Sequence, residues 1–206
     1  MVSLKRLLAA LVTFQATFVL PVKNENRYFI LRQNGGYSMK AIVYTSNSGF
    51  TRHYAELLSK ETQLNVYELD EARRKLDTGS EIIFMGWLMA GGIKGYKTAA
   101  KRYKVRAVCG VGMGRFKESL ITELKTRNSI TGAEVFYLQG GFDMSRLHGL
   151  YKLMMKMMIG VMSRKLREKA DKTEEDLEIL AMTKGRIDKV DVQNLADVIS
   201  WYKKQR

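Results

Sequence analysis

The chain has 206 residues, 46% of them hydrophobic, which is enough for one domain with a substantial core and too apolar for a disordered tail protein. A single Cys and two widely separated His exclude a disulfide framework and argue against a Cys- or His-built metal centre. Thirty-five basic against 21 acidic residues give a charge of +14, which favours acidic partners: nucleic acid, an anionic membrane or an acidic protein.

The first 38 residues differ in character from the rest. Two positive charges, Lys5 and Arg6, precede an uncharged run from Leu7 to Val22. Spanning a bilayer takes roughly 20 apolar residues, and this run is shorter and carries Thr13, Gln15, Thr17 and Pro21. No small-x-small cleavage site precedes Lys23-Asn24-Glu25-Asn26. Two expectations stand side by side for residues 1–38. One is a short hydrophobic leader. The other is a misplaced start, because Gly35-Gly36 stands two codons ahead of Met39, where GGA-GGT would spell a ribosome-binding site.

From residue 39 to 206 strands and helices alternate in one domain. Lys40 to Tyr44 is a short, β-branched apolar run that reads as a buried parallel strand. Thr51 to Lys60 follows, with Tyr54, Leu57 and Leu58 at helical spacing. Further strands are expected at Asn65 to Leu69, Ile82 to Met85, Val105 to Val111 and Ala133 to Leu138. Between them fall helices including Thr98 to Tyr103 and Leu120 to Leu124, and long apolar helical patterns continue to Lys204. Such alternation implies an α/β, doubly wound fold with a parallel sheet and helices on both faces. Ligands in these sheets bind beyond the carboxyl ends of the strands, which directs attention to loops 45–51, 86–96, 110–114 and 140–143.

Thr45-Ser46-Asn47-Ser48-Gly49-Phe50-Thr51 offers four hydroxyls and one amide at a helix start, where free N–H groups and the dipole favour a bound phosphate. Hydroxyl donors with no Lys or Arg inside the loop suit an enclosed monophosphate. The loop lacks Gly-Lys-Ser/Thr and has one Gly, so it is neither a Walker A sequence nor a dinucleotide fingerprint. An ordinary capped turn is the alternative. Asp70 would imitate a ribose-binding acid or, more simply, cap the helix beginning at Glu71.

Tyr44 to Thr51 resembles the phosphate loop with which flavodoxins hold FMN. The likeness continues at Met85-Gly86-Trp87-Leu88-Met89-Ala90-Gly91-Gly92, which lies along the flavin ring in that family, and at Gly110-Val111-Gly112-Met113-Gly114. It implies a flavodoxin-like three-layer sandwich with a five-stranded parallel sheet in the order 2-1-3-4-5. It further implies an FMN site built by Thr45, Ser46, Asn47, Ser48, Gly49, Phe50, Thr51, Trp87, Leu88, Met89, Ala90, Gly91, Gly112, Met113 and Gly114. Two features depart from the family: Phe50 stands where many flavodoxins have Asn, and those proteins are typically acidic.

Trp87 would cover one face of a flavin or serve as plain core. Cys109, mid-strand, reads as an inert buried thiol. His53 and His148 read as helix-surface residues, and no nucleophile–base pair supports hydrolysis, so no catalytic side chain is assigned.

After the fifth strand, Gly140-Gly141 leads into Leu147, Leu150, Tyr151, Met154, Met157, Met158, Val161 and Met162 at helical spacing. Residues 145–169 hold seven basic residues and one acid, Glu168. This Met-rich basic helix resembles the branch containing menaquinone-dependent protoporphyrinogen oxidases, although their long insertion between the fourth and fifth strands is absent. The helix reads as core, as a peripheral contact with an anionic membrane, or as a docking face. In the last reading Lys94, Lys97, Lys101, Arg102, Lys104 and Arg106 would join it against an acidic redox partner. No nucleic-acid recognition motif appears, and the aromatics are not interleaved with the basic run.

The expected function is electron transfer by an FMN-binding oxidoreductase in the cytoplasm, peripheral at the inner face of the membrane, with a redox protein or a quinone as partner. The alternatives are a protoporphyrinogen oxidase-like dehydrogenase with a quinone acceptor, and a flavin-free binding module that uses its basic face.

Overall fold

A computed structural model describes residues 38–181 and 185–206, all within the unit Gly36–Arg206. Both expectations for the leader fall outside the described residues.

In chain order the described unit runs β1 (Ala41–Thr45), α1 (Phe50–Thr62), β2 (Asn65–Glu68), α2 (Leu69–Lys75), β3 (Glu81–Met89) and β4 (Gly92–Ile93). It continues through α3 (Tyr96–Arg102), β5 (Lys104–Gly112), α4 (Glu118–Asn128), β6 (Glu134–Gln139) and β7 (Phe142–Asp143). The remainder is α5 (Gly149–Arg167), α6 (Glu174–Ala181), β8 (Arg186–Ile187) and α7 (Ala196–Lys204). The result is an α/β fold with a mostly parallel sheet flanked by helices.

Strand alternation explains the layering. Ile42 and Tyr44 of β1, Ile83 and Met85 of β3, and Ala107 and Cys109 of β5 face one side. There they pack against Tyr54, Ala55 and Leu58 of α1 and Val198 and Tyr202 of α7. The intervening residues Val43, Ile82, Phe84 and Val108 face the other side and meet Leu69 and Ala72 of α2, Ala99 of α3 and Leu124 of α4. A period of two thus feeds two separate cores from the same strands. Cys109 is fully buried, and burial pushes its thiol pKa up, so it stays a protonated core residue.

The sheet has one strand more than the expected five in the order 2-1-3-4-5, and counted without β4 the parallel strands keep that order. It has six strands: β2-β1-β3-β5-β6 run parallel, and β4 pairs antiparallel with the end of β3. The cause is local. Ala90 (φ 49°) and Gly91 (φ 76°) both take left-handed backbone, the requirement of a tight two-residue hairpin, so β3 runs on to Met89 and folds back. Gly86 permits this return, because a Cβ there would stand 2.6 Å from both Ile93 and the Lys94 carbonyl. A separate ribbon of β7 and β8 pairs Phe142 with Ile187 and Asp143 with Arg186.

Asp70 is not a helix cap. α2 begins at Leu69, which puts Asp70 inside the first turn, where it makes an ion pair with Arg73 at 3.6 Å. One buried hydroxyl ties the turn before the last helix to the sheet: Tyr54 of α1 donates to the Gln139 carbonyl at 2.6 Å and accepts from Asn194 Nδ2 at 2.7 Å.

Candidate functional site

The loop between β1 and α1 divides its polar groups between structure and solvent. Thr45 donates its hydroxyl to the Lys94 carbonyl at 2.7 Å, and Ser46 Oγ accepts the Gly49 N–H at 3.1 Å. Both side chains are therefore consumed in holding the turn. Gly49, at φ 94°, leads into α1, which has no side-chain cap and no acidic residue in its first turn. The amide dipoles at that end remain uncompensated. Asn47, Ser48, Phe50 and Thr51 line a cavity, and the Ser48 and Thr51 hydroxyls have no hydrogen-bond partner among the described residues. Thr51 is only 2% exposed, so the hydroxyl it offers sits in a sheltered place.

A cation reaches this loop from far along the chain. A Cβ on Gly49 would stand 2.6 Å from Arg146 Nη1, which also approaches the Ser48 carbonyl at 3.5 Å. Asp143 holds the guanidinium from the other side at 3.5 Å. The Ser145 hydroxyl, with help from its backbone N–H and from Arg186 and Arg146, keeps the Asp143 carboxyl below the usual carboxylate range. The loop contains no basic residue, as the sequence says, yet tertiary structure brings one to it.

The β3–β4 hairpin forms the second wall, with Trp87, Leu88, Met89 and Ala90 on the cavity. It is anchored from α4. Asn128 Oδ1 accepts the Ile93 N–H at 2.8 Å, its Nδ2 donates to the Gly91 carbonyl at 3.1 Å, and Arg127 donates to the Ala90 carbonyl at 2.6 Å. Gly91 itself backs onto Arg127 and is not on the cavity. Trp87 meets Tyr151 of α5 edge-to-face at 5.5 Å, and the Lys94 ammonium lies 5.9 Å from the Trp87 ring.

Val111, Gly112 and Met113 at the end of β5 supply a third wall. Gly114 lies off the cavity, its carbonyl accepting the Tyr137 hydroxyl. Gly141 and Phe142 close the site from the end of β6. All four strand-end loops therefore converge on one space of about 190 Å³, far beyond the roughly 10–15 Å³ that one water needs.

Sequence reasoning assigned the cavity to loops alone and missed its roof. Leu147 and, from α5, Tyr151, Met154, Met155 and Met158 also line it. Their helical spacing was visible, but spacing does not reveal which face covers a cavity. Lys94 of the basic run lies beside the Trp87 wall, whereas its later residues stand apart from it. Arg106 pairs with Glu81, Arg102 donates to the Arg73 and Leu76 carbonyls, and Lys104 and Arg106 stand at the amino end of β5, away from the cavity.

The lining is apolar except at the β1–α1 end, an arrangement suited to a ligand with one anionic end and a flat apolar body. His53 and His148 are exposed and line no part of the cavity. Among the described residues no group of three or more His, Cys, Asp or Glu is placed to hold a metal ion. Likewise, no described helix is long and apolar enough to cross a membrane. No protein-family model matches the chain, and no curated protein matches it either.

Proposed function

We propose that the protein is a flavodoxin-like, FMN-binding redox protein that exchanges electrons with a redox protein or a quinone. One observation carries this reading. A single cavity joins an uncapped, hydroxyl-bearing helix start to a wall of Trp87, Leu88, Met89 and Met113. FMN has the matching halves, a phosphate and a flat ring.

The Ser48 and Thr51 hydroxyls and the first N–H groups of α1 would hold the phosphate, and Arg146 would add positive charge at Gly49. Trp87 and the aliphatic residues beside it would flank the ring and exclude water. When bound, FMN supplies the reversible electron chemistry that no side chain here provides. An aromatic neighbour disfavours the electron-rich reduced ring, so Trp87 would tune the potential.

A second reading, dehydrogenation of a reduced organic substrate with a quinone acceptor, draws support from the α5 wall. Met154, Met155 and Met158 are pliant side chains that adapt to a further apolar ligand. Turnover of a quinone by the purified protein separates this enzyme from a carrier.

The purified protein is expected to be yellow, with FMN released on denaturation. Replacing Ser48 and Thr51 together by Ala should weaken FMN binding by roughly 1.5–3 kcal/mol for each hydrogen bond to the phosphate. Riboflavin affinity should change little, because riboflavin lacks the phosphate. Equal losses for FMN and riboflavin would remove the phosphate-loop assignment, and a colourless protein that binds neither would remove the flavin.

A further inference from the structure

α5 carries apolar residues on two sides at once. One side is accounted for: Ile159 is buried with Phe142 and Leu147, while Tyr151, Met154, Met155 and Met158 roof the cavity. The other side is not. Leu150 (78% exposed), Leu153 (56%), Met157 (62%) and Val161 (60%) follow one another at spacings of three and four. They make a single stripe opposite Ile159 and Ser163. Such a stripe at the surface of a basic protein calls for an occupant.

We propose that this stripe docks on an anionic lipid surface, with α5 lying in the plane of the headgroups between the bilayer and the cavity. The charge pattern points there. Arg164 extends the stripe one turn beyond Val161, and Lys156, Lys165 and Arg167 are exposed beside it. A second copy of this chain would set Lys156, Arg164, Lys165 and Arg167 against the same four, with Glu168 the one acid among them in each. Side-chain chemistry favours lipid over an acidic protein. Protein interfaces centre on Trp, Tyr and Arg anchors seated in pockets, whereas this stripe is wholly aliphatic and thioether, which suits a fluid acyl boundary without shape complementarity. The proposal does not depend on the FMN reading, since it uses only the outward face of the helix.

The full chain is tested by sedimentation with vesicles of phosphatidylglycerol and phosphatidylcholine, and with phosphatidylcholine alone. Binding is expected to the anionic vesicles at low salt and to fall at high salt. Each basic residue near the surface contributes about fivefold in partitioning, so Arg164→Gln with Lys165→Gln should weaken binding about 25-fold. Because residues 1–38 are present in every sample, insertion of α5 is read directly. An environment-sensitive fluorophore on Met157→Cys should shift to the blue on anionic vesicles, and the same label on Lys60→Cys, at the exposed far end of α1, should not. The one native thiol, Cys109, is fully buried and stays unlabelled. Four results would each overturn the proposal. They are no vesicle binding at low salt, equal binding to neutral vesicles, binding without a blue shift at position 157, and a dimer that Met157→Glu dissociates.

Discussion

α7 and α5 are both amphipathic helices attached to the same unit, yet they use their apolar residues differently. In α7, Val198 and Tyr202 are buried in the core beneath the sheet, Ile199 and Trp201 pack against that core, and Trp201 meets Phe136 at 6.1 Å. In α5 only Ile159 and Ser163 are buried, and much of the remaining apolar surface lies on the cavity or in solvent. One helix closes a core and the other walls a site. The contrast teaches that helical periodicity specifies an apolar face without specifying what that face must cover.

The contrast is open to breaking by substitution. Tyr202→Ala removes a large buried ring from the closed core and should cost about 3–5 kcal/mol in a denaturant titration. A loss below about 1 kcal/mol would mean that α7 is no more essential than α5. Tyr54→Phe probes the polar link beneath the same helix. It takes the acceptor from the Asp191 N–H and the donor from the Gln139 carbonyl, leaves Asn194 Nδ2 with the Lys189 carbonyl alone, and should cost about 1–3 kcal/mol.

The cavity rim should respond weakly, or in the opposite sense. Ala90 holds φ 49° at the first position of the β3–β4 hairpin, where Asn-Gly is the preferred pair. Ala90→Asn should therefore stabilise the protein by about 0.5–1 kcal/mol, and a destabilised variant would count against the hairpin geometry. The smallest effect is expected on the outer stripe of α5. Leu150→Ser should change stability by less than about 0.5 kcal/mol, because the side chain is largely exposed. A loss near that of Tyr202→Ala would show that the stripe is covered within the protein itself.

Much of the fold was legible because strands and helices announce themselves locally. The expected first strand, Lys40 to Tyr44, is β1 at Ala41–Thr45, and the helix expected from Thr51 begins at Phe50. β3 was read four residues short at its end, since Gly86 and the Gly91-Gly92 pair look like loop residues until the hairpin return is seen. Asp70 was misread for a related reason: an acid at a strand-to-helix junction has the composition of a cap, but the first helical residue lies one position earlier.

For the site, the strand-end loops together with the flavodoxin resemblance named Asn47, Ser48, Phe50, Thr51, Trp87, Leu88, Met89, Ala90, Gly112 and Met113, all of which line the cavity. They were not enough to show that Thr45 and Ser46 are occupied by the turn, or that Gly91 and Gly114 face away. These distinctions depend on hydrogen bonds to distant residues such as Lys94 and Tyr137.

By itself the sequence determined the alternating α/β order, the two-sided burial of the strands and the loops at their carboxyl ends, because each follows from periods of two and 3.6 within short windows. Tertiary structure alone decided that β4 folds back on β3, that Arg146 crosses to Gly49, and that α5 turns its Met face to the cavity and its Leu face outward. These features join residues tens of positions apart. What brings them together is packing and loop closure, which no local spacing records.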